Sequence, residues 1–88
     1  MENKISKEEL LCELELSLFE QGNYSPEEFL TIINKKIANN YTFAYKYRAY
    51  FYSLMAMYDK AIEDYKKALE FHPDDEEIKS VLKDLLSE

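Results

Sequence analysis

The chain has 88 residues, 47% of them hydrophobic, which favours one domain with a single compact core. With only one Gly and two Pro it lacks the turn-forming residues that a sheet with many tight turns requires, so we expect an all-α fold. The formal net charge of −7, with acids in excess over residues 1–28 and 74–88 and bases in excess over residues 29–73, argues against nucleic acid as a partner.

The sequence also indicates where the protein works. No run of about 18 apolar residues could span a membrane, and residues 1–7 lack the apolar core of a signal peptide. The single cysteine, Cys12, cannot form an internal disulfide, which fits a reducing compartment. We therefore expect a cytoplasmic protein that does not contact a membrane.

The first predicted helix covers residues 6–21. Ser6 and Glu9 have the spacing of a capping box, in which the hydroxyl and the carboxylate satisfy free amides of the first turn. Gly22 favours the left-handed geometry that ends helices. Leucines at three- and four-residue steps are expected to face the core, and they are Leu10, Leu11, Leu14 and Leu18.

The second predicted helix covers residues 26–38. Ser25 supplies its cap, and Pro26 stands at the first helical position, where its missing N–H costs nothing. The Asn39-Asn40 pair marks its end. Its apolar stripe is formed by Phe29, Ile32, Ile33 and Ile37. Because only a few residues connect the first two helices, we expect them to pack antiparallel.

Three further helices are predicted over residues 42–57, 59–71 and 75–87. The packing face of the third consists of Tyr45, Ala49, Tyr52 and Ala56. The inward residues of the fourth are Ala61, Ile62, Tyr65, Ala68 and Leu69, whereas its charged residues, Asp64 among them, are expected to face water. Pro73 ends the fourth helix, and the acidic first turn of the fifth suits the helix dipole.

Residues 42–75 resemble one complete tetratricopeptide repeat (TPR), a pair of antiparallel helices. That family carries an aromatic, a small residue and a Tyr in its first helix, then a small, an aromatic and a small residue before a closing Pro. The matching residues are Tyr45, Ala49, Tyr52, Ala61, Tyr65, Ala68 and Pro73. The small residues let the two helices approach closely, and the aromatic rings fill the holes beside them.

A weaker match precedes this repeat. A shift of about 34 residues aligns the first predicted helix with the third, but Glu15 stands in a small-residue slot and Asn39 replaces the closing Pro. The last helix resembles the cap that covers the final apolar face of such arrays. We therefore predict one all-α domain over residues 1–88, whose five antiparallel helices form a right-handed, TPR-like helix-turn-helix solenoid of two repeats plus a C-terminal cap helix.

The resemblance implies a binding surface on the concave side, lined by the first helix of each repeat. The implied partner-binding residues are Glu9, Glu13, Leu16, Glu20, Phe43, Lys46, Tyr47, Tyr50 and Leu54, with Ser53 beside them. The apolar members on the third helix recur at four- and three-residue steps and form a second apolar stripe. A partner covers this stripe, or the first and last helices cover it as core, or a second copy of the chain covers it.

The charges on this surface bear on the ligand. Some TPR proteins hold the carboxylate tail of a chaperone with Lys, Asn and Arg side chains, and Lys46 occupies such a slot. Tyr47 and Tyr50 stand where the amides are expected, and Glu77 and Asp84 would repel an acidic tail. The glutamates of the first helix instead indicate a basic or apolar protein segment as the ligand.

No feature of the sequence predicts an enzyme. The only His, His72, lies far along the chain from Cys12, so no pair of nucleophile and base is expected. A Gly-rich phosphate loop is absent, and residues 74–77 lack the ligand spacing of a calcium loop. We predict no catalytic residue, no cofactor and no metal ligand.

Three functions remain open from the sequence. The first is an adaptor or scaffold that binds a partner peptide or helix in its concave, Tyr-rich face. The second is a small acidic inhibitor or immunity-type protein that neutralises a basic toxin or nuclease by charge complementarity. The third is a self-assembling structural module, of which a homodimer is the simplest form.

Overall fold

The computed structural model describes residues 6–87 and shows five α-helices in succession. They are α1 (Lys7–Glu20), α2 (Pro26–Ala38), α3 (Ala44–Leu54), α4 (Tyr58–Phe71) and α5 (Glu76–Leu86), and this part of the chain contains no strand. Each helix contacts the next along the chain, and α1 also contacts α3. The prediction of an all-α fold is confirmed over the described residues.

Side-chain caps fix where three of the helices begin. Ser6 Oγ accepts a hydrogen bond from the Glu9 amide at 3.0 Å. At α2 the capping box is complete, because Ser25 Oγ accepts from the Glu28 amide at 3.1 Å and the Ser25 amide donates to Glu28 Oε1 at 2.8 Å. The Asp75 carboxylate accepts from the Ile78 amide at 3.1 Å and starts α5.

Left-handed backbone follows the first three helices. Gly22, with a φ of 89°, lies in the turn after α1, and Asn40, with a φ of 66°, follows α2. Both residue types tolerate this conformation, as the sequence predicts. Ala56, with a φ of 60°, is the left-handed residue after α3, although its Cβ disfavours a positive φ.

The third helix is shorter than predicted, because it runs over Ala44–Leu54 and not over residues 42–57. At its start the amide of Ala44 donates to the Tyr41 carbonyl at 2.9 Å, which closes a tight turn before the helix. At its end the left-handed backbone of Ala56 prevents a further helical turn. Ala56 is therefore exposed in the loop and does not belong to the packing face.

Two hydrophobic clusters form the interior. The first lies between α1, α2 and α3 and consists of Cys12, Leu16, Phe29, Ile33, Ala44, Tyr47 and Phe51. The second lies between α3, α4 and α5 and consists of Ala49, Ala61, Tyr65, Ala68, Ile78 and Leu82. Tyr52 packs against both clusters and joins them.

The contact between α3 and α4 is built from alanines. Ala49, Ala61 and Ala68 are each 0% exposed. Small side chains at these positions let the two helix backbones approach, and the Tyr65 ring, itself buried, packs in the same cluster. The prediction that these residues are buried is confirmed.

The buried face of α1 differs from the predicted leucine stripe. Leu10 and Leu14 are 54% and 53% exposed, whereas Cys12 and Leu16 are buried. Phe19, one turn further along the same face, packs with its ring centroid 5.2 Å from that of Phe29. The leucine spacing predicted the wrong buried face of α1. The aromatic contacts of Phe19 determine which face of the helix packs against the core.

Asp64 is buried, although the sequence analysis places it in water. Its carboxylate accepts two hydrogen bonds from Arg48, at 2.7 Å from Nε and 2.9 Å from Nη2. The guanidinium also donates to Asn34 Oδ1 at 2.8 Å. The hydrogen bonds to Asp64 raise the pKa of Arg48. This paired charge links α2, α3 and α4 and compensates for the removal of Asp64 from water.

Candidate binding groove

A groove of about 610 Å³ lies between α1, α3 and α5. Its apolar lining comes from all three helices and from one residue of α4, and consists of Leu16, Tyr47, Tyr50, Ile78, Val81, Leu85 and Tyr65. Four carboxylates surround this lining, namely Glu13, Glu20, Glu77 and Asp84. These carboxylates are exposed, whereas all the apolar lining residues except Tyr50 are buried or half-buried, so the site is apolar at its base and acidic at its rim.

The two tyrosines of α3 have different environments. Tyr47 is only 6% exposed, and its hydroxyl donates a hydrogen bond to Glu9 Oε2 at 3.4 Å. Burial, together with the nearby charges of Glu9 and Glu13, raises the pKa of Tyr47. Tyr50 is 39% exposed. Its partial burial is the main cause that raises its pKa, and the nearby charge of Glu20 raises the pKa further. Tyr47 thus forms part of the groove wall, and Tyr50 presents its ring to the open space.

Lys46 is held by two carboxylates of the protein itself. Its Nζ lies 3.0 Å from Asp75 Oδ2 and 2.9 Å from Glu77 Oε1, and its side chain is 12% exposed. Burial opposes the charge, but hydrogen bonds to Glu77 and Asp75 raise the pKa of Lys46 overall. The ammonium group therefore fastens α5 to α3. It is not free to bind the carboxylate of a ligand.

Comparison with known families matches residues 42–75 to the tetratricopeptide repeat. Residues 42–75 therefore match one tetratricopeptide repeat, and the five-helix arrangement around them is consistent with a TPR-like fold. Searches of curated proteins and of solved structures found no match. The matched residues contain α3, α4 and the alanine contact between them, which are the features that the sequence analysis assigned to the complete repeat.

The TPR match bears on the class of function. Repeats of this family are protein–protein interaction modules and typically lack enzymatic activity. Burial raises the pKa of Cys12 to about 11, so this thiol stays protonated at neutral pH. Within residues 6–87, no three His, Cys, Asp or Glu side chains are grouped so that they could hold a metal ion. Over the same residues, no helix has both the length and the apolar character needed to cross a membrane.

The helix pair α1 and α2, for which the sequence predicts a degenerate repeat, has its own set of contacts. Glu15, which occupies a small-residue slot, accepts a hydrogen bond from the Tyr24 hydroxyl at 2.7 Å. The same carboxylate lies 3.8 Å from Lys36 Nζ. Polar contacts therefore link α1 and α2, where the complete repeat uses close contact between alanines.

The structure brings six of the nine predicted binding residues to the groove. They are Glu13, Leu16, Glu20, Lys46, Tyr47 and Tyr50, and Ser53 lines it as well. Phe43 lies elsewhere, with its ring stacked on His72 at a centroid distance of 3.9 Å. Leu54, which is 45% exposed, and Glu9, which is hydrogen-bonded to Tyr47, also lie outside the lining.

The apolar contribution of α5 to the groove was not predicted from the sequence. Ile78, Val81 and Leu85 line the groove, although their helix was interpreted as a cap. The sequence did contain a signal for this role. By the resemblance, α5 corresponds to the first helix of a further repeat, and its residues Glu77 and Asp84 were already expected on the concave side. The helix both covers the second hydrophobic cluster and forms one wall of the groove.

Proposed function

We propose that the groove binds a segment of a partner protein that carries both apolar and basic side chains, and that the protein acts as an adaptor. One observation carries the proposal: an apolar base within a rim of four carboxylates, Glu13, Glu20, Glu77 and Asp84. A segment that inserts apolar side chains and places Lys or Arg at the rim satisfies both features. The free thiol of Cys12 fits work in the reducing cytoplasm.

The charge balance of the lining supports a basic ligand. Among residues 6–87, Lys46 is the only Lys or Arg in the lining, and Asp75 and Glu77 already neutralise it. An acidic ligand would have to separate Lys46 from both carboxylates and would also meet Glu20 and Asp84. Such a ligand is disfavoured by like-charge repulsion, which strengthens where water is partly excluded.

The uncharged lining supports a ligand of defined shape. Tyr50 offers an exposed aromatic ring in the same groove as the half-buried aliphatic side chains of Val81 and Leu85, a combination that suits protein interfaces. Ser53 also lines the groove. Burial raises the pKa of Tyr65, although a hydrogen bond with the Ser53 side chain acts to lower that pKa.

The test is selection of peptides by the purified protein. A random peptide library displayed on phage should yield sequences in which Lys or Arg alternates with apolar residues. Fluorescence anisotropy with a selected peptide should then show that Tyr50→Ala weakens binding about tenfold or more, since an aromatic anchor at the centre of an interface contributes most of its affinity.

A matched control is Tyr58→Ala, since Tyr58 is 52% exposed but lies at the start of α4, outside the groove lining. It should leave peptide affinity unchanged. Tyr47→Ala is unsuitable, because its buried ring supports the first hydrophobic cluster and its loss would unfold the groove along with the binding surface. Acidic peptides from the library, or an equal loss with Tyr58→Ala, would contradict the proposal.

The inhibitor alternative draws on the same acidic rim and differs in its dependence on salt. An inhibitor that finds a basic toxin by charge should lose association rate steeply as ionic strength rises. The proposed groove also attracts a basic segment through its carboxylates, so its association rate should fall too, but its dissociation rate, which Tyr50 and the aliphatic contacts limit, should change little with salt. Stopped-flow measurement of both rates with the selected peptide across a salt series separates the two functions.

A further inference from the structure

The four carboxylates at the rim of the groove are regularly spaced. Glu13 and Glu20 on α1 are seven residues apart, and so are Glu77 and Asp84 on α5. Seven residues are about two helical turns, so the two carboxylates of each wall are about 10.5 Å apart along the helix axis. Apolar lining residues of both helices lie between them. Each wall therefore has an acid at both ends of a stretch of two turns.

The helices α1, α3 and α5 run in the same direction. The hydrogen bond from Tyr47 to Glu9 joins α1 and α3 near their starts, and the rings of Phe19 and Phe51, 5.3 Å apart, join them near their ends. Lys46 joins the start of α3 to that of α5 through its ion pairs. From there α5 packs along α4, which is antiparallel to α3. The negative dipole ends of all three helices thus lie at the same end of the groove.

The rim acids differ in whether the protein itself neutralises them. Glu77 is paired with Lys46 at 2.9 Å. Within residues 6–87, no Lys or Arg forms an ion pair with Glu13, Glu20 or Asp84. Glu20 and Asp84 lie toward the C-terminal ends of their helices. The unneutralised charge is therefore greatest at the end of the groove where the helix dipoles are also negative.

We propose that the segment bound in the groove is an amphipathic helix, antiparallel to α1, α3 and α5, with Lys or Arg seven residues apart on the side that faces α1. This inference rests on the proposed function and specifies its ligand. The bound helix begins near Glu20 and Asp84, so the positive end of its dipole meets the more negative end of the groove. Its first basic residue faces Glu20, and the basic residue two turns later faces Glu13. Another basic residue near its start, on the other side of the apolar stripe, faces Asp84.

An extended segment fits the groove less well for two reasons. One face of a strand repeats every second residue, so its side chains reach the same wall about 6.7 or 13.4 Å apart and match neither pair of acids. An extended backbone would also bury unpaired N–H and C=O groups against the apolar base, whereas a helix pairs these groups internally. Spacing and backbone hydrogen bonding therefore both favour a helical ligand.

Two designed peptides test the proposal by fluorescence anisotropy. Each has about 18 residues, rich in Ala, with a stripe of Leu at three- and four-residue steps and three Lys. In the first peptide, two Lys flank one side of the stripe seven residues apart, and the third flanks the other side near the N-terminus. In the second, the same three Lys lie opposite the stripe. The first should bind about tenfold more tightly, because only its Lys side chains reach the rim acids.

Substitutions in the protein assign the charge contacts. Glu20→Gln should weaken binding of the first peptide about two- to fivefold, as expected for an exposed ion pair. Glu20→Lys should weaken it further, and a peptide with Glu in place of its first Lys should regain the lost affinity. A purely structural effect of the substitution would give no such rescue. The matched control is Glu63→Gln, which removes the same charge from an exposed site on α4 outside the lining and should leave affinity unchanged.

The conformation and direction of the bound peptide are tested separately. A Pro at the centre of the first peptide, opposite the Leu stripe, should reduce affinity at least tenfold because it breaks the helix. A nitroxide label at the N-terminus of the peptide should broaden the amide signals of Glu20 and Asp84. The same label at the C-terminus of the peptide should instead broaden those of Glu13 and Glu77.

Four results would overturn the helical ligand: equal affinity of the two designed peptides, unchanged affinity with the central Pro, the opposite pattern of broadening, or an equal loss with Glu63→Gln. The proposed function can survive this failure. A library peptide whose binding requires Tyr50 but tolerates a central Pro would support the groove as a binding site and contradict the helical ligand. Absence of binding by library and designed peptides alike would contradict both.

Discussion

At Ala56 the backbone takes a φ of 60°, a left-handed conformation that costs a residue with a Cβ about 1–2 kcal/mol. Replacement by glycine removes this strain at the expense of a more flexible unfolded chain. We expect Ala56→Gly to raise the free energy of unfolding by about 0.5–1 kcal/mol. Thermal denaturation should show a Tm higher by a few degrees.

A control separates the effect of local backbone conformation from that of glycine itself. Ser80→Gly lies in the middle of α5 at an exposed position and should lower the stability by up to about 1 kcal/mol. If both variants lower the Tm, the turn after α3 does not impose a left-handed residue at position 56.

At the scale of helices, the contact between α3 and α4 depends on small side chains. Ala68 is 0% exposed, so a leucine there has no room without moving α4 away from α3. We expect Ala68→Leu to reduce the free energy of unfolding by about 1–3 kcal/mol in urea denaturation. Ala38→Leu at the exposed end of α2 should have little effect. An Ala68→Leu variant with unchanged stability would contradict the close approach of the two helices.

The attachment of α5 to α3 should depend on pH. Burial acts to raise the pKa of Asp75, but the hydrogen bond from Lys46 and that from the Ile78 amide lower it overall. A carboxylate whose pKa is lower in the folded state stabilises the protein above its unfolded value, near 3.8. That contribution is lost as the pH falls through the folded value, so acidification below about pH 4 should weaken the attachment.

The variant Lys46→Met tests this dependence. Urea denaturation at pH 6 and at pH 3 should show a smaller loss of stability on acidification than in the unmodified chain, because Asp75 no longer has its cationic partner. Lys79→Met removes an exposed lysine that pairs with Glu76 on the same helix and should keep the original dependence. An equal loss of stability between pH 6 and pH 3 in the Lys46→Met variant and in the unmodified chain would show that Lys46 does not set the pKa of Asp75.

At the scale of the whole molecule, the two hydrophobic clusters should unfold together. Tyr52 packs against both clusters, and α3 contributes residues to each of them. Ile33 and Ile78 are both 0% exposed, one in each cluster. We expect Ile33→Ala and Ile78→Ala each to cost about 2–4 kcal/mol and to lower one shared melting temperature. Amide signals from α1 and α5 that disappear at different temperatures would show two independent units.

How much could be predicted from the sequence follows from how local each feature is. Caps and turn residues act over three or four positions, so Ser25, Pro26 and Gly22 indicated helix boundaries directly. The buried face of α1 depends on contacts of the Phe19 ring with Phe29 and Phe51, which are distant in sequence. The leucine spacing alone therefore predicted the wrong face. The burial of Asp64 likewise depends on Arg48 from the preceding helix.

The candidate site was predictable to a similar extent. The resemblance to the tetratricopeptide repeat predicted which side of the helices is concave. It therefore predicted that Glu13, Glu20 and Tyr50 line the groove. It did not show that Tyr47 would be buried in the wall, because that depends on how closely α1 packs against α3. Phe43 lies outside the groove for a similar reason, because its stacking partner His72 follows the C-terminal end of α4 and is distant in sequence.

The double position of α5, against the second cluster and along the groove, has a thermodynamic consequence. Any molecule that binds against Val81 and Leu85 also holds in place α5, the helix that completes the interior. Occupancy and resistance to heat are then linked, and at a ligand concentration one hundred times Kd the folded state gains about 2.7 kcal/mol. A rise in melting temperature therefore reports occupancy of the groove even before the natural ligand is identified.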